Sequence, residues 1–373
     1  MRRMSVTHEN PEWSISGIQQ VGVGVPNKQS AWLWYRRHFN MDVPVFQEAA
    51  EAPLMTRYTG GAVHSRDAAL ALNMAGGGGF EIWQYTSRIC SPPAFQPAFG
   101  DLGILTTKIK AIDVALVEQR LRAAGVTLLG STTSDPAGNK HLFVSDVHGF
   151  LFEVVQDADR WFSRPGASLT GGVSGATIGV SDIDASLGLY RDLLGYDAVI
   201  YDERGRFEDL EHLPGGDAAL RRVLLGHSRP RSGAFAPLLG PTTIELVQAL
   251  DRPGRRIFAN RYWGDMGFIH LCFDVVGMNA LRSAAGSAGF PFTVDSGETF
   301  DMGEAGGRFA YLEDCDGTLI EFVETHKVPI IKRLGWYLDL RRRDPRKPLP
   351  RWMLKAMGLG RIKDRPDQAA LLP

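Results

Sequence analysis

The chain has 373 residues and a formal net charge of −1, with 44% hydrophobic and 22% charged residues. This composition predicts two or three folded domains with sizeable cores and excludes a disordered body. The three cysteines match no disulfide or zinc-finger spacing, the N-terminus lacks a signal-peptide core, and no apolar run approaches the roughly 18 residues of a membrane span, so we expect a cytoplasmic protein without a transmembrane segment.

The first half of the chain contains two similar units, each with a first strand, a helix and a closing strand that carries a glutamate. Short apolar runs rich in β-branched and aromatic residues indicate the strands. In unit one the predicted elements are a strand at 18–25, a helix at 30–39 and a closing strand around Glu81. In unit two they are a strand at 102–109, a helix at 112–124 and a closing strand around Glu153.

The second half repeats this pattern. Unit three has a predicted strand at 173–180, a helix at 182–194 with Asp182 as N-cap, and a closing strand around Glu245. Unit four has a strand at 267–275 that contains His270, a helix at 279–288 ended by a glycine, and a closing strand around Glu321.

Two motifs show that the halves are copies of each other. The Asp146 turn that precedes the Glu153 strand matches the Asp314 turn before Glu321, and a Tyr-Arg pair at Tyr35 is matched at Tyr190. Long and short units alternate, which indicates a duplicated duplication. We therefore predict two domains of two consecutive units, at 14–158 and 171–325, joined by a proline- and glycine-rich linker at 163–172.

The closing strand of unit four suggests chemistry. Glu321 lies between apolar neighbours on a strand that is apolar on both faces, so its carboxylate needs a hydrogen-bonding partner or a cation. His270 lies on another strand of the same unit. A histidine and a glutamate on two strands of one sheet form half of a plausible metal site.

The four repeated units, the Asp-x-x-Gly turns and the glutamate-bearing closing strands resemble the vicinal oxygen chelate superfamily, over about residues 14–325. This superfamily includes the glyoxalase I, bleomycin-resistance and extradiol-dioxygenase families. The resemblance implies an α+β fold in which four βαβββ units pair into two domains. It does not fix the activity, because the superfamily contains isomerases, lyases, epimerases, dioxygenases and non-catalytic binders.

The resemblance also implies four ligand positions per domain, namely one on each first strand and the closing glutamate of each unit. In the second domain these are Gly175, Glu245, His270 and Glu321, of which the last three can bind a metal. One imidazole and two carboxylates suit one divalent ion, which can be Zn, Mn, Ni, Co or Fe(II). His212 or His227 could supply the ligand missing at the Gly175 position, and Glu321 or Glu245 is the expected catalytic base.

In the first domain the same positions hold Gln20, Glu81, Ile104 and Glu153. Glutamine binds metals weakly through its amide oxygen, and isoleucine cannot bind one. Since this set contains no histidine, the first domain is expected to carry no metal and to act as a structural partner.

Three functions remain open from the sequence. The first is a metal-dependent isomerase, lyase or epimerase that binds adjacent oxygens of a small-molecule substrate and uses a carboxylate as base. The second is an Fe(II)-dependent dioxygenase with atypical ligands, since Gly175 replaces one histidine of the facial triad. The third is a non-catalytic protein of the resistance type that binds a small molecule.

Two further segments stand out by composition. The arginines and aromatics of 251–267 either cap a cleft over an anionic or planar substrate or form a solvated loop with its aromatics against the sheet. From residue 326 onward, 13 Lys+Arg oppose 4 Asp+Glu, a net of +9, which leaves −10 for residues 1–325. We interpret 326–373 as a basic tail that docks on an acidic body and is dispensable for its fold from about Lys332, and no nucleic-acid module accompanies it.

Overall fold

The computed structural model describes residues 12–157, 160–297, 300–302, 305–331 and 336–363. Within unit one the elements are β1 Ser14–Gly24, α1 Lys28–Phe39, β2 Val43–Glu51, a 3₁₀ turn at Pro53–Tyr58, β3 Ser65–Leu72 and β4 Gly79–Tyr85. Within unit two they are β5 Gly103–Ala111, α2 Val114–Ala123, β6 Thr127–Ser134, β7 Lys140–Ser145 and β8 Leu151–Gln156.

Unit three begins with β9 Thr170–Gly179, followed by α3 Ile183–Leu187, which continues as a π-helical turn at Gly188–Leu193. The rest of this unit is β10 Ala198–Gly205, a 3₁₀ turn at Glu208–Leu210, β11 Leu220–Gly226, α4 Ala236–Leu239 and β12 Thr243–Ala249. In unit four the elements are β13 Gly267–Val276, α5 Met278–Ser287, β14 Val294–Asp295, β15 Phe300–Met302, β16 Ala305–Glu313 and β17 Leu319–Thr325.

The C-terminal segment adds a hairpin and a short helical end. The hairpin consists of β18 Lys327–Ile331 and β19 Trp336–Asp339, and the chain then forms α6 Arg351–Ala356 and a 3₁₀ turn at Met357–Gly360. None of the helices in the described ranges has the length and hydropathy that a membrane crossing requires.

Side-chain caps explain where three of the helices begin. Asn27, Asp113 and Asp182 each accept a hydrogen bond from the backbone N–H three residues later, which satisfies one of the free donors at the helix start. The predicted cap at Asp182 is thus present.

Two large sheets contain the strands of the four units. Sheet A has the order β14-β16-β17-β13-β1-β4-β3-β2, with β15 paired to β16, and sheet B has the order β10-β11-β12-β9-β5-β8-β7-β6. At the centre of sheet A, β1 is antiparallel to β13, and at the centre of sheet B, β5 is antiparallel to β9. Sheet A therefore joins unit one to unit four, and sheet B joins unit two to unit three.

This arrangement differs from the consecutive pairing that we expected from the repeats. Each sheet takes one unit from 14–158 and one from 171–325. Consecutive units do meet, but through side chains: the Tyr35 hydroxyl donates to Asp146 at 2.8 Å, and the Tyr190 hydroxyl donates to Asp314 at 2.8 Å. The two repeated motifs in the sequence are therefore the two sides of one repeated contact.

The main apolar core lies against one face of each sheet. Val21 and Leu271 of sheet A and Ile178 of sheet B belong to it, together with side chains of α1, α2 and α5. Strand alternation directs the neighbouring residues to the opposite face, where Gln20 and His270 are found. These polar residues thus lie on the face of sheet A that is turned away from this core.

Candidate metal centre

Four buried polar side chains converge on the polar face of sheet A, one from each of its central strands. His270 Nε2 lies 3.0 Å from Glu321 Oε2 and 3.3 Å from Glu81 Oε2. The amide Nε2 of Gln20 lies 3.4 Å from the same Glu81 oxygen and 3.5 Å from the same Glu321 oxygen. We refer to these four residues as the first centre.

The strand register explains this convergence. Gly22 of β1 is opposite His270 on one side and opposite Glu81 on the other. A Cβ atom at Gly22 would lie only 2.4 Å from Cε1 of the imidazole, so the missing side chain provides the space that the ring occupies. The first centre therefore depends on a glycine that itself has no functional group.

The electrostatics of the first centre favour a bound cation. Burial alone would lower the pKa of His270, but the neighbouring Glu321 and Glu81 carboxylates outweigh burial and raise it to about 10. Burial likewise works to raise the pKa of Glu321, yet the His270 charge and hydrogen bonds leave it below its usual value. Without another cation, the imidazolium supplies the positive charge that the two carboxylates require.

Two buried polar atoms of the first centre make no well-aligned hydrogen bond to a described residue, although one of them lies close to both carboxylates. These are His270 Nε2 and Gln20 Oε1, and both are buried. The other imidazole nitrogen, Nδ1, lies 3.4 Å from the Tyr311 hydroxyl. An imidazole held through Nδ1 presents Nε2 as a ligand, and turning the glutamine amide would present its oxygen in the same direction.

Sheet B holds the equivalent positions, which we call the second centre: Lys108, Glu153 and Glu245. The Lys108 ammonium donates to Glu245 at 2.9 Å and to Glu153 at 2.5 Å. Arg222 Nε and the Tyr201 hydroxyl each donate to the other Glu245 oxygen at 2.7 Å. The carboxylates are therefore saturated by groups of the chain itself.

Matching strand registers show which positions correspond in the two centres. Lys108 is opposite both Glu153 and Gly175, just as Gly22 is opposite both Glu81 and His270. Lys108 thus occupies the place of Gly22, and Gly175 occupies the place of His270. By the same register, Thr106 rather than the predicted Ile104 corresponds to Gln20.

The structure brings together only two of the three predicted ligands. His270 and Glu321 meet in the first centre, whereas Glu245 lies in the second centre, in the other sheet. The third carboxylate of the first centre is Glu81, from the unit that we expected to lack a metal. Glu81, His270 and Glu321 offer ligand atoms that all lie within 4.8 Å of one another.

The two candidates for a fourth ligand lie elsewhere. His212 is exposed beside Glu211, and His227 contacts the Gly195 carbonyl and Arg231. Burial, reinforced by Arg231, lowers the pKa of His227 to about 3. The fourth ligand-capable position is filled instead by Gln20, which the repeats had aligned correctly but which we had assigned to the other domain.

The loop at 251–267 partly matches the second of the two expectations, a solvated loop whose aromatic side chains lie against the sheet. Arg252 and Arg255 both bind the buried Asp101, at 2.8 and 2.7 Å, so their charges are used within the chain. Trp263 is buried and lines a cavity of about 1250 Å³ that also reaches Gln20, Glu81 and Glu321. The first centre thus lies on the wall of a large cavity.

No protein-family model matches the chain, and no curated protein matches it in sequence. Solved structures do match. Glyoxalase I from Zea mays is 14% identical, with a TM-score of 0.50 over 83% of this chain and 92% of that one. A protein from Bacillus subtilis named as a dioxygenase is 15% identical, with a TM-score of 0.53 over 94% of this chain and 98% of that one.

These similarities extend over most of both chains and confirm the predicted fold. The chain has the vicinal oxygen chelate fold, with four βαβββ units and two curled sheets. At this level of identity the similarity concerns the fold alone, so the activity has to be argued from the first centre.

Proposed function

We propose that the chain is a metal-dependent enzyme in which Gln20, Glu81, His270 and Glu321 hold one divalent ion. Its substrate is a small molecule that binds through two adjacent oxygens, and its reaction is of the isomerase, lyase or epimerase type. The observation that carries this proposal is the convergence of His270 and two carboxylates at one buried point, beside a glutamine amide.

The donor atoms fit a divalent cation. Two carboxylates balance a charge of +2, and His270 Nε2 with Gln20 Oε1 completes a set of one nitrogen and three oxygens. Such a set is compatible with Zn, Mn, Ni, Co or Fe(II). The Tyr311 hydroxyl near Nδ1 supports the imidazole from behind, as outer groups commonly do at metal sites.

The chain's own residues would provide the rest of the chemistry. A divalent ion at this position supplies a Lewis acid that orients and polarises adjacent substrate oxygens. Glu321 and Glu81 are the carboxylates placed to accept a proton from the substrate, and Glu81 takes the role that we had expected for Glu245. Both side chains are largely buried, which limits their contact with bulk water.

The dioxygenase alternative receives less support from the ligand types. A facial triad needs two histidines and one carboxylate, whereas His270 is the single histidine of the cluster found among the described residues. We therefore expect turnover without uptake of dioxygen. Stoichiometric oxygen consumption with any substrate would favour the Fe(II) enzyme instead.

Metal analysis of protein purified without chelators or metal-affinity resin tests the proposal. We expect about one divalent ion per chain, lost in His270→Ala and in Glu81→Ala. The matched control is Glu245→Gln, which alters the second centre and should keep the ion. An ion retained by His270→Ala, or lost only in Glu245→Gln, would contradict the assignment.

Glu321→Gln separates binding from catalysis. Glutamine keeps an oxygen ligand of the same shape but cannot act as a base. We expect this variant to retain most of the metal while its turnover falls by about 10²-fold or more. Unchanged turnover would assign the base to another residue, with Glu81 as the next candidate.

A further inference from the structure

The cavity beside the first centre is larger than most small-molecule sites. Its volume is about 1250 Å³, whereas ligand pockets usually measure about 300–1000 Å³. The cavity extends from Gln20, Glu81 and Glu321 to the C-terminal residues 349–360. A compact chelating group would fill only the end next to the first centre.

Most of the cavity wall beyond the first centre is apolar. Many of its side chains come from three parts of the chain: the β2 region, α4 and the C-terminal segment. Representative residues are Phe46 and Met55 from the first part, Leu238 and Leu239 from the second, and Trp352 and Met353 from the third. A ligand that fills this space must itself present mainly apolar surface.

The charged residues of the wall give no net attraction for an anion. Among the described residues beyond the first centre, they are Glu48, Glu51, Arg66 and Lys327, two of each sign. The Arg66 guanidinium is already engaged, since it donates to the Glu48 carboxylate and to the Glu48 backbone carbonyl, both at 3.0 Å. An anionic tail would therefore find little compensation for its lost hydration.

The C-terminal segment is fixed to the body while it forms part of this wall. Leu349 and Leu354 are buried among Leu72, Met74 and Leu238, and Leu349 N–H donates to the Ala234 carbonyl at 2.9 Å. The segment is tied down again further on, where the Arg361 guanidinium lies 3.1 Å from the Asp42 carboxylate. The tail is thus a built wall of the cavity.

Apolar side chains are also exposed at the edge of the cavity. Trp352 is 65% exposed, Leu359 is 90% exposed and Leu54 is 43% exposed, and all three line the cavity. Large apolar side chains exposed together are typical of a surface that binds an apolar partner. They extend the apolar wall to the part of the cavity that faces solvent.

From these observations we infer that the substrate is an uncharged, largely apolar molecule with its two adjacent oxygens at one end, and that residues 349–360 select its apolar part. The part of the inference that concerns the two adjacent oxygens rests on the proposed function. The part that concerns the apolar end of the substrate rests on the cavity wall alone, so the two parts can fail separately.

Calorimetric titration with 4-methyl-, 4-butyl- and 4-octylcatechol tests the inference. Catechol supplies two adjacent oxygens, and the alkyl chain probes the wall. With the zinc-loaded protein we expect affinity to rise by about fourfold per buried methylene, and so by more than tenfold from methyl to butyl. Equal affinity for all three compounds would overturn the inference.

Charge is tested with a matched ligand, 4-(3,4-dihydroxyphenyl)butanoate, which carries a carboxylate on a chain of similar length. We expect it to bind at least tenfold more weakly than 4-butylcatechol. Binding that is equal or tighter would show that the cavity accepts anions and would overturn the uncharged character of the substrate.

Two variants locate the selecting wall. Trp352→Ala should lower the affinity for 4-octylcatechol by about threefold or more and the affinity for 4-methylcatechol by less than twofold. Ile89→Ala is the control, because Ile89 is 90% exposed but does not line the cavity, and it should change neither affinity. An equal loss for both compounds in Trp352→Ala would remove the C-terminal segment from the specificity site.

His270→Ala separates this inference from the proposed function. If both are right, the variant weakens all three catechols by a similar factor and keeps the dependence on chain length. Unchanged affinities in His270→Ala would reject the metal role while leaving the apolar site in place. Loss of the length dependence in the zinc-loaded wild type would reject the apolar site and leave the metal role.

Discussion

The two centres solve the same electrostatic problem with different cations. Each has two buried glutamates on corresponding strands, Glu81 with Glu321 and Glu153 with Glu245. In the second centre a lysine ammonium lies between them, and in the first an imidazole does. Buried carboxylates need a cation or hydrogen bonds to compensate them, so the two centres share the charge requirement and differ in the source of the cation.

The strand on which each centre carries its glycine decides which cation is used. Where β1 carries Gly22, β13 can place His270 beside it, and where β5 carries Lys108, the partner on β9 is Gly175. At the first crossing only one bulky side chain fits, as the 2.4 Å approach at Gly22 shows. The lysine ammonium is a fixed cation of its centre, whereas a histidine can lose its proton when a metal ion binds.

The two centres also differ in how accessible they are. Over the second centre, Leu210, Leu213 and Phe143 pack into a closed apolar cluster, and Asp209 binds Arg222 at 2.7 Å. The first centre instead borders the 1250 Å³ cavity. The permanently compensated centre is covered, and the one that can exchange its cation is accessible.

The largest expected effect comes from removing the internal cation. Lys108→Met leaves Glu153 and Glu245 facing each other without their shared ammonium, and we expect a loss of about 3–5 kcal/mol in the free energy of unfolding. Lys110→Met is the control, since this buried lysine donates to the Arg160 carbonyl and contacts Trp161 rather than binding the glutamates. Urea denaturation measures both, and similar losses would contradict the compensating role of Lys108.

Zinc should stabilise the protein through the first centre only. At a free zinc concentration of 100 times Kd, a bound ion adds about 2.7 kcal/mol to the free energy of unfolding. We expect His270→Ala to abolish this gain and His141→Ala to keep it, because His141 is a buried histidine beside the second centre, 2.8 Å from Glu153. Thermal unfolding with and without zinc measures the gain in stability. If only His141→Ala lost this gain, the zinc ion would lie in sheet B and the prediction would be wrong.

The repeats predicted much of this comparison, and the missing part is long-range. Gln20, Glu81, His270 and Glu321 were all recognised as repeat positions from local patterns of strand, turn and closing glutamate. Their grouping depends on whether β1 pairs with β5, as the predicted pairing of consecutive units requires, or with β13, as the structure shows. Both possible partner strands have an apolar face toward the core, so no local pattern predicts which of them pairs with β1.

Lys108 was not predicted at all, for a related reason. The alignment of first strands placed Ile104 at the ligand position, two residues before Thr106, so Lys108 had no counterpart. The position of Lys108 within a predicted first strand was the available signal, because a lysine that is buried there needs carboxylate partners. The tail shows the same limit: its docking was expected from its charge, yet Leu349 and Leu354 attach it through apolar contacts, and its dispensability stays a prediction.

A pH-dependent difference between the sheets is expected from Asp274. Burial, with Glu324 adding to it, raises the pKa of Asp274 to about 7, whereas the corresponding position of sheet B is Gly179. Because the folded state holds the proton more tightly than the unfolded state, stability is greatest below the unfolded pKa of about 3.9 and falls as the pH rises toward 7.

Asp274→Asn should remove this pH dependence. Between pH 5 and 8 we expect the wild type to lose about 2 kcal/mol that the variant does not lose. Denaturation at both pH values provides the measurement. An identical decline in the two proteins would assign the pH dependence to other groups.

The smallest expected effect tests whether the two halves are equivalent at the contact between consecutive units. Tyr35→Phe removes the hydrogen bond to Asp146, and Tyr190→Phe removes the one to Asp314. Each aspartate keeps two backbone N–H donors on its other oxygen, so each loss should be about 1 kcal/mol. Since the two contacts share no residues, the double variant should lose the sum of the single losses. Chemical denaturation of the three variants measures this, and a clear excess over the sum would mean that the halves depend on each other through more than the shared sheets.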